Sequence, residues 1–100
     1  MASSEIQVTD ETTHGAYRMA VTGSDRQAEL TWRAKGEARV ADHTYTPTEA
    51  RGQGIAQKLV ERMVADARDQ GFTIVPQCPY VDALFRRHAD WADVLADTPS

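Results

Sequence analysis

The chain has 100 residues, room for one domain spanning 1–100 and too little for a two-domain enzyme or a large barrel. Apolar residues make up 41% and charged residues 26%, the balance of a globular chain and not of a disordered one. Fifteen acids against eleven bases leave a formal charge of −4, which argues against nucleic acid as a partner, because cationic contacts to phosphate supply most of that affinity.

A single cysteine, Cys78, excludes an internal disulfide and points to the cytoplasm. The stretch Met1-Ala2-Ser3-Ser4-Glu5 lacks the basic and apolar regions of a secretory signal, and residues 1–4 are expected to fray. No apolar run approaches the roughly 20 residues that span a bilayer, so no membrane partner is expected.

Taken in chain order, the first half reads as strands. Ile6 and Val8 alternate with polar neighbours, and Thr12-Thr13-His14-Gly15 carries turn chemistry. A second strand runs over Tyr17 to Val21 and ends at Gly23-Ser24-Asp25, a hairpin signal. Ala28, Leu30 and Trp32 mark a third, half-buried strand. Lys35-Gly36 turns the chain into a fourth, Glu37 to Thr46. Its alternation places Ala38, Val40, Asp42 and Thr44 on one face and Arg39, Ala41, His43 and Tyr45 on the other. Pro47 ends this antiparallel β-meander.

The second half is helical. A helix starts near Gly54, where Ile55, Leu59, Met63 and Ala67, flanked by Ala56, Val60 and Val64, build one broad apolar face. Gly71 supplies the stop. Phe72 to Pro76 reads as one further strand. Val81 to Arg87 reads as a short helix, and Trp91 to Ala96 as another turn or two after a break at His88-Ala89-Asp90. The fold class is α+β.

Chemistry concentrates at Arg51-Gly52-Gln53-Gly54-Ile55-Ala56. The first amides of a helix have no intrahelical acceptor, and the helix dipole adds partial positive charge there. Two glycines let an anion approach without meeting a Cβ, and Arg51 adds a guanidinium suited to phosphate oxygens. Gly54 also serves an ordinary loop-to-helix turn, so the glycines alone leave both readings open. No Gly-Lys-Ser/Thr follows, which excludes a Walker A loop. The missing third glycine and the hairpin-linked strands exclude a dinucleotide fingerprint.

Arg51-x-x-Gly54-x-Ala56, after a meander and opening a helix, resembles the pyrophosphate motif of the GNAT N-acetyltransferase superfamily. His43-Thr44 before it, Pro76-x-Cys78-x-Tyr80-Val81 after the next strand, and Phe85, His88 and Trp91 beyond extend the likeness to the small single-domain branch, the YjdJ type. It covers about Ile6 to Trp91. The resemblance implies a minimal GNAT fold in which the strand before the loop and the strand after the helix splay apart. It implies acetyl-CoA as cofactor, with pantetheine along Thr44, Tyr45 and Thr46, and the diphosphate on Arg51, Gly52, Gln53, Gly54, Ile55 and Ala56. Tyr80 and Phe85 would complete that site, with no metal. Most members carry a helical insertion between their first two strands. Here only seven residues separate Val8 from Ala16, so the acceptor side is expected to be open or completed by a second copy in a homodimer.

The implied reaction is acyl transfer from a thioester to an amine of unknown identity, on a protein or a small molecule. The alternative is a CoA-binding module with little transferase activity. Direct transfer needs a base for the amine and an acid for the thiolate; a two-step route needs a nucleophile. Cys78 is placed to take the acyl group, to contact the thioester, or simply to fill the wall as a small buried side chain. His43 has the right chemistry for a base and serves equally as a structural histidine. Tyr80 is a candidate acid for the thiolate; the resemblance implies a tyrosine in the C-terminal helix for this role, where this chain has Phe85 without a hydroxyl. Glu49 is a loop carboxylate near the same motif.

Overall fold

The computed structural model describes residues 6–50 and 52–96. In chain order it contains β1 (Ile6–Asp10), β2 (His14–Ala20), β3 (Gln27–Lys35), β4 (Ala38–Tyr45), α1 (Ile55–Gln70), β5 (Thr73–Pro76) and α2 (Pro79–Arg87). Short 3-10 turns lie at Thr48–Ala50 and Ala89–Val94. The strands form one mixed sheet in the order β1-β2-β3-β4-β5. The first four are antiparallel neighbours, and β5 lies parallel to β4. A parallel pair needs a crossover, which α1 supplies. The α+β meander, helix and fifth strand expected from the sequence are all present.

One side of the sheet carries the helices. Leu59, Val60, Met63, Val64 and Ala67 of α1 pack with Tyr17, Met19, Leu30, Trp32, Ala41 and Ile74, and Val81, Leu84 and Phe85 of α2 join the same core. Burying such side chains is worth roughly 1.5–3 kcal/mol each. Tyr17, nearly fully buried, donates its hydroxyl to Asp66 Oδ2 at 2.9 Å and so ties β2 to α1. Gly71, with φ 84°, ends α1 by donating its N–H to Ala67 O at 2.9 Å.

The other side of the sheet, the outer face, has no helix on it among the described residues. It carries Arg18, Glu29, Thr31 and Arg33, because cross-strand partners share a face.

Element bounds shift by a few residues, the break expected over His88-Ala89-Asp90 narrows to His88, and four differences from the sequence expectation have a clear local reason. The first turn is shorter, so Gly15 belongs to β2 and not to the turn. The β1–β2 connection is only Glu11–Thr13, closed by Thr12 at φ 75° with its N–H on Asp10 Oδ1 at 3.0 Å. Phe72 lies outside β5 and stacks on Arg39, whose guanidinium sits 4.1 Å from that ring and 4.0 Å from Trp32. The second helix starts at Pro79, not Val81, with proline at a first-turn position where its missing N–H costs nothing.

The fourth difference matters most. The register of β4 against β3 slips between Thr31 and Trp32, which pair with His43 and Ala41. Asp42 is therefore the extra residue of a β-bulge. The expected alternation of Ala38, Val40, Asp42 and Thr44 on one face is corrected at this point. Asp42 and His43 both lie beside Thr31 on the outer face, and Thr44 moves to the helix side with Ala41.

Candidate functional site

The bulge positions the site. β4 and β5 pair from Ala38 with Thr73 to Ala41 with Pro76. One last backbone bond joins Cys78 N–H to Ala41 O at 2.9 Å, and the chain then turns into α2. β4 continues through Thr44 and Tyr45, which pair with Leu30 and Glu29 of β3. On its other edge β4 faces the start of α2 instead of a strand beyond Ala41.

At the inner end of this gap Thr44 Oγ1 and Cys78 Sγ are 3.5 Å apart. Cys78 is 7% exposed and occupies the position preceding α2, with extended backbone. Burial raises its thiol pKa. The Thr44 hydroxyl and the backbone amides of Val81, Tyr80 and Thr44 more than offset this, and the net shift is downward. No side-chain capping hydrogen bond closes on the helix end, so the amides act on the sulfur as oriented dipoles.

The loop after β4 forms the outer end. Pro47 leads into the turn Thr48–Ala50, and Gln53 N–H returns to Ala50 O at 3.2 Å. Gly52 and Gly54 have φ of 84° and 73°, the left-handed region that disfavours any Cβ. A Cβ at either glycine would meet no atom within 4 Å, so both face open space. Gly54 precedes α1 without a side-chain cap, no acid occupies the first turn, and the first helical bond is Lys58 N–H to Gly54 O at 3.1 Å. The amides of Ile55, Ala56 and Gln57 therefore lack intrahelical acceptors. Thr46, Ala50, Gly52, Gly54, Ile55, Ala56 and Tyr80 line a hollow of about 260 Å³ here. Tyr80 is 38% exposed. Its partial burial, opposed by Arg87 and reinforced by Glu61, raises the phenol pKa and keeps it a proton donor.

The structure brings together Thr46, Gly52, Gly54, Ile55, Ala56 and Tyr80, with Thr44 and Cys78 adjoining. Gln53 lies in the turn and not in the lining. Tyr45 points to the outer face, where its hydroxyl accepts from Arg26 Nη1 at 3.2 Å; only its backbone borders the gap. Phe85 is in the core, edge-on to Trp91 at 5.2 Å, and does not line the hollow. His43 is exposed on the outer face, across the sheet from Thr44 and Cys78. Arg51 and the Glu49 side chain lie outside the described residues. Sequence reasoning missed the Thr44–Cys78 pair and the change of face of His43, Thr44 and Tyr45 beyond the bulge, and no signal within β4 announces either.

A family model for the GCN5-related N-acetyl-transferases matches residues 16–94. The chain belongs to this family. The solution NMR structure of a GCN5-like protein from Staphylococcus aureus superposes with a TM-score of 0.75 over 99% of this chain and 94% of that one, at 23% identity. That likeness is one of fold. This member of the family keeps the gap and the glycine loop within 100 residues.

Proposed function

We propose that this chain binds acetyl-CoA along the free edge of β4 and over the start of α1, and transfers acetyl to an amine. The observation that carries the reading is the hollow at Gly52 and Gly54. Helix amides without acceptors, two left-handed glycines and open space converge on one place continuous with an unpaired strand edge. Those residues fit a diphosphate with an amide-bearing arm.

Bound acetyl-CoA supplies a thioester-activated acetyl group. The chain's residues do the rest. The amides of Ile55 and Ala56 hold the diphosphate, and the edge of β4 at Thr44 to Thr46 fixes the pantetheine arm. In this reading a backbone N–H of that edge polarises the thioester carbonyl. In transfer the acceptor nitrogen bonds the acetyl carbon and the carbon–sulfur bond breaks. The nitrogen gives up its proton to a base on the acceptor side, where His43 stands. Tyr80 Oη holds a proton for the departing sulfur. Cys78 adjoins the reacting strip, and its lowered pKa suits it to an alternative acetyl-cysteine route.

A second reading, a CoA-binding module with little transfer, is favoured by one observation. His43 and Cys78 sit on opposite faces of the sheet. A thermal shift with CoA tests the common part, because a ligand specific for the native state adds about 2.7 kcal/mol of stability at 100 times its dissociation constant. Binding is expected, and none at millimolar CoA overturns both readings. Thiol release with an amine panel, and intact mass after acetyl-CoA, then separate transfer from mere binding.

A further inference from the structure

Arg33 stands on the outer face of β3, opposite Val40 of β4. Its guanidinium crosses β4 and donates from Nη2 to Gln77 Oε1 at 2.9 Å. Gln77 immediately precedes Cys78, so Arg33 straps the outer mouth of the gap whose inner side holds Cys78 and Thr44. Its nearest carboxylate is weakly engaged, with Nε 3.8 Å from Asp42 Oδ2, beyond hydrogen-bond distance. Five other arginines are closely paired with carboxylates. Arg18 reaches Glu29 at 2.9 Å, Arg39 reaches Asp10 at 3.2 Å, Arg62 reaches Asp66 at 3.1 Å, and Arg68 and Arg86 reach Asp93 and Asp82 at 2.9 Å. Arg33 instead holds a neutral amide and keeps its charge half in solvent, at 51% exposure.

Asp42 mirrors this arrangement. The bulge turns it outward, and Thr31 donates to its Oδ1 at 2.6 Å, which fixes the carboxylate through a neutral partner. A cation and an anion thus stand side by side at the outer mouth, 3.8 Å apart, each hydrogen-bonded to a neutral group and not to the other. Two hollows meet at Arg33. One of about 500 Å³ is bordered by Asp42 and Thr31 and bottoms on Ala16. The other, of about 630 Å³, lies over Val40, Val75 and Pro76 with Lys35 on its rim.

We infer that this outer mouth is the acceptor subsite, and that its substrate class is a small amine carrying a carboxylate and an apolar body. The inference rests on the acetyl-transfer reading. Asp42 takes the acceptor's ammonium, Arg33 takes its carboxylate in the fork geometry that guanidinium favours, and the apolar body rests on Val40 and Val75. The ammonium releases one proton to His43 or solvent. The neutral nitrogen then bonds the acetyl carbon as the carbon–sulfur bond breaks; the nitrogen sheds its second proton and the CoA sulfur takes one up.

The test compares leucine with isopentylamine, the same skeleton without the carboxylate, in thiol release from acetyl-CoA. It is paired with NMR titration of leucine into the CoA-loaded protein. Leucine should exceed isopentylamine by about ten-fold in kcat/KM, since the bidentate, charge-assisted pair with the Arg33 guanidinium forms only with the carboxylate. It should also shift the amides of Thr31, Arg33 and Asp42. Arg33→Gln should bring the ratio near one while leaving CoA affinity unchanged, which shows that the variant is folded. Equal use of the two amines, or leucine shifts that miss these amides or are absent, overturns the inference and leaves the cofactor reading standing. Failure of the wild-type chain to bind CoA overturns both.

Discussion

Glycine does opposite jobs in the meander and in the corner formed by β4, α1 and α2. Gly15, in β2, leaves out a Cβ because protein already fills the space: a Cβ there would meet Thr9 O and stand 2.5 Å from the Trp32 ring. Gly52 and Gly54, at the start of α1, leave out a Cβ where nothing stands within 4 Å, and their φ angles are left-handed. The meander is finished as it stands, packed to the point where one methyl is too many. The corner is built of backbone donors and empty space, which is the form of a surface awaiting a ligand. The outer face adds a third manner of construction, charged side chains held by neutral partners.

The sharpest way to break this contrast is to add the methyl group in each region. Gly15→Ala is expected to destabilise the fold by roughly 1–3 kcal/mol through overpacking against Trp32. Thermal unfolding should show it as a fall of about 4–8 °C per kcal/mol. A variant as stable as the parent would mean that the meander has slack. Gly54→Ala is expected to cost about 1–2 kcal/mol of backbone strain. Beyond that it should lower CoA affinity about ten-fold or more, a change of about 1.4 kcal/mol, by occupying the space where the diphosphate lies. Gly23→Ala is the control. It carries a similar φ, 88°, and open space in the β2–β3 turn, so it should show the strain without the loss of CoA. Equal CoA affinity in all three folded proteins would remove the corner from the site.

The contrast also explains what could be read from the sequence. Hairpin signals, period-two alternation and the apolar stripe of α1 each report a local preference, and all five strands and the helix stops appear where those signals stand. Gly54 was legible because the start of a helix is itself a local event. The bulge at Asp42 was not legible. An extra residue is defined by its partner strand, here Thr31 and Trp32, and alternation within β4 carries no count of it. The misplacement of His43, Thr44 and Tyr45 follows from that single slip. Gly15 was read as turn because Thr12-Thr13-His14-Gly15 looks like one, whereas Trp32 across the sheet claims it for β2. Phe85 reads from the sequence as a site residue, since an aromatic in a short helix gives no sign of which cavity it closes, and the structure puts it in the core against Trp91.

Tyr17 joins the two regions and offers a smaller perturbation. Burial, the bond to Asp66 and the Asp66 charge raise its phenol pKa far above the usual value, against the opposing pull of Arg39 and Arg62. The folded state therefore binds the phenolic proton more tightly than the unfolded state. Its contribution to stability is complete below about pH 10, the ordinary tyrosine value, and is lost as pH rises above it. Tyr17→Phe should cost about 1 kcal/mol at neutral pH, one part-buried hydrogen bond. It should also flatten the alkaline loss of stability relative to the parent in urea unfolding between pH 8 and about pH 11. Parallel alkaline slopes for the two proteins would show that Tyr17 does not titrate with folding.

The finest test concerns Cys78. Burial alone would make it a poor thiolate, and the Thr44 hydroxyl with the amides of Val81, Tyr80 and Thr44 reverses that. Its folded pKa is depressed, so alkylation of the native protein should reach half-maximal rate below the pH of about 8.5 typical of a free thiol. Thr44→Val keeps the shape and removes the hydroxyl, and should move that midpoint upward. CoA should slow the reaction in both proteins, because the sulfur borders the free edge of β4. A midpoint unmoved by the valine would assign the thiolate to the helix amides alone. Labelling unchanged by saturating CoA would place Cys78 behind the wall of the site and leave Thr44 as its only link to the ligand.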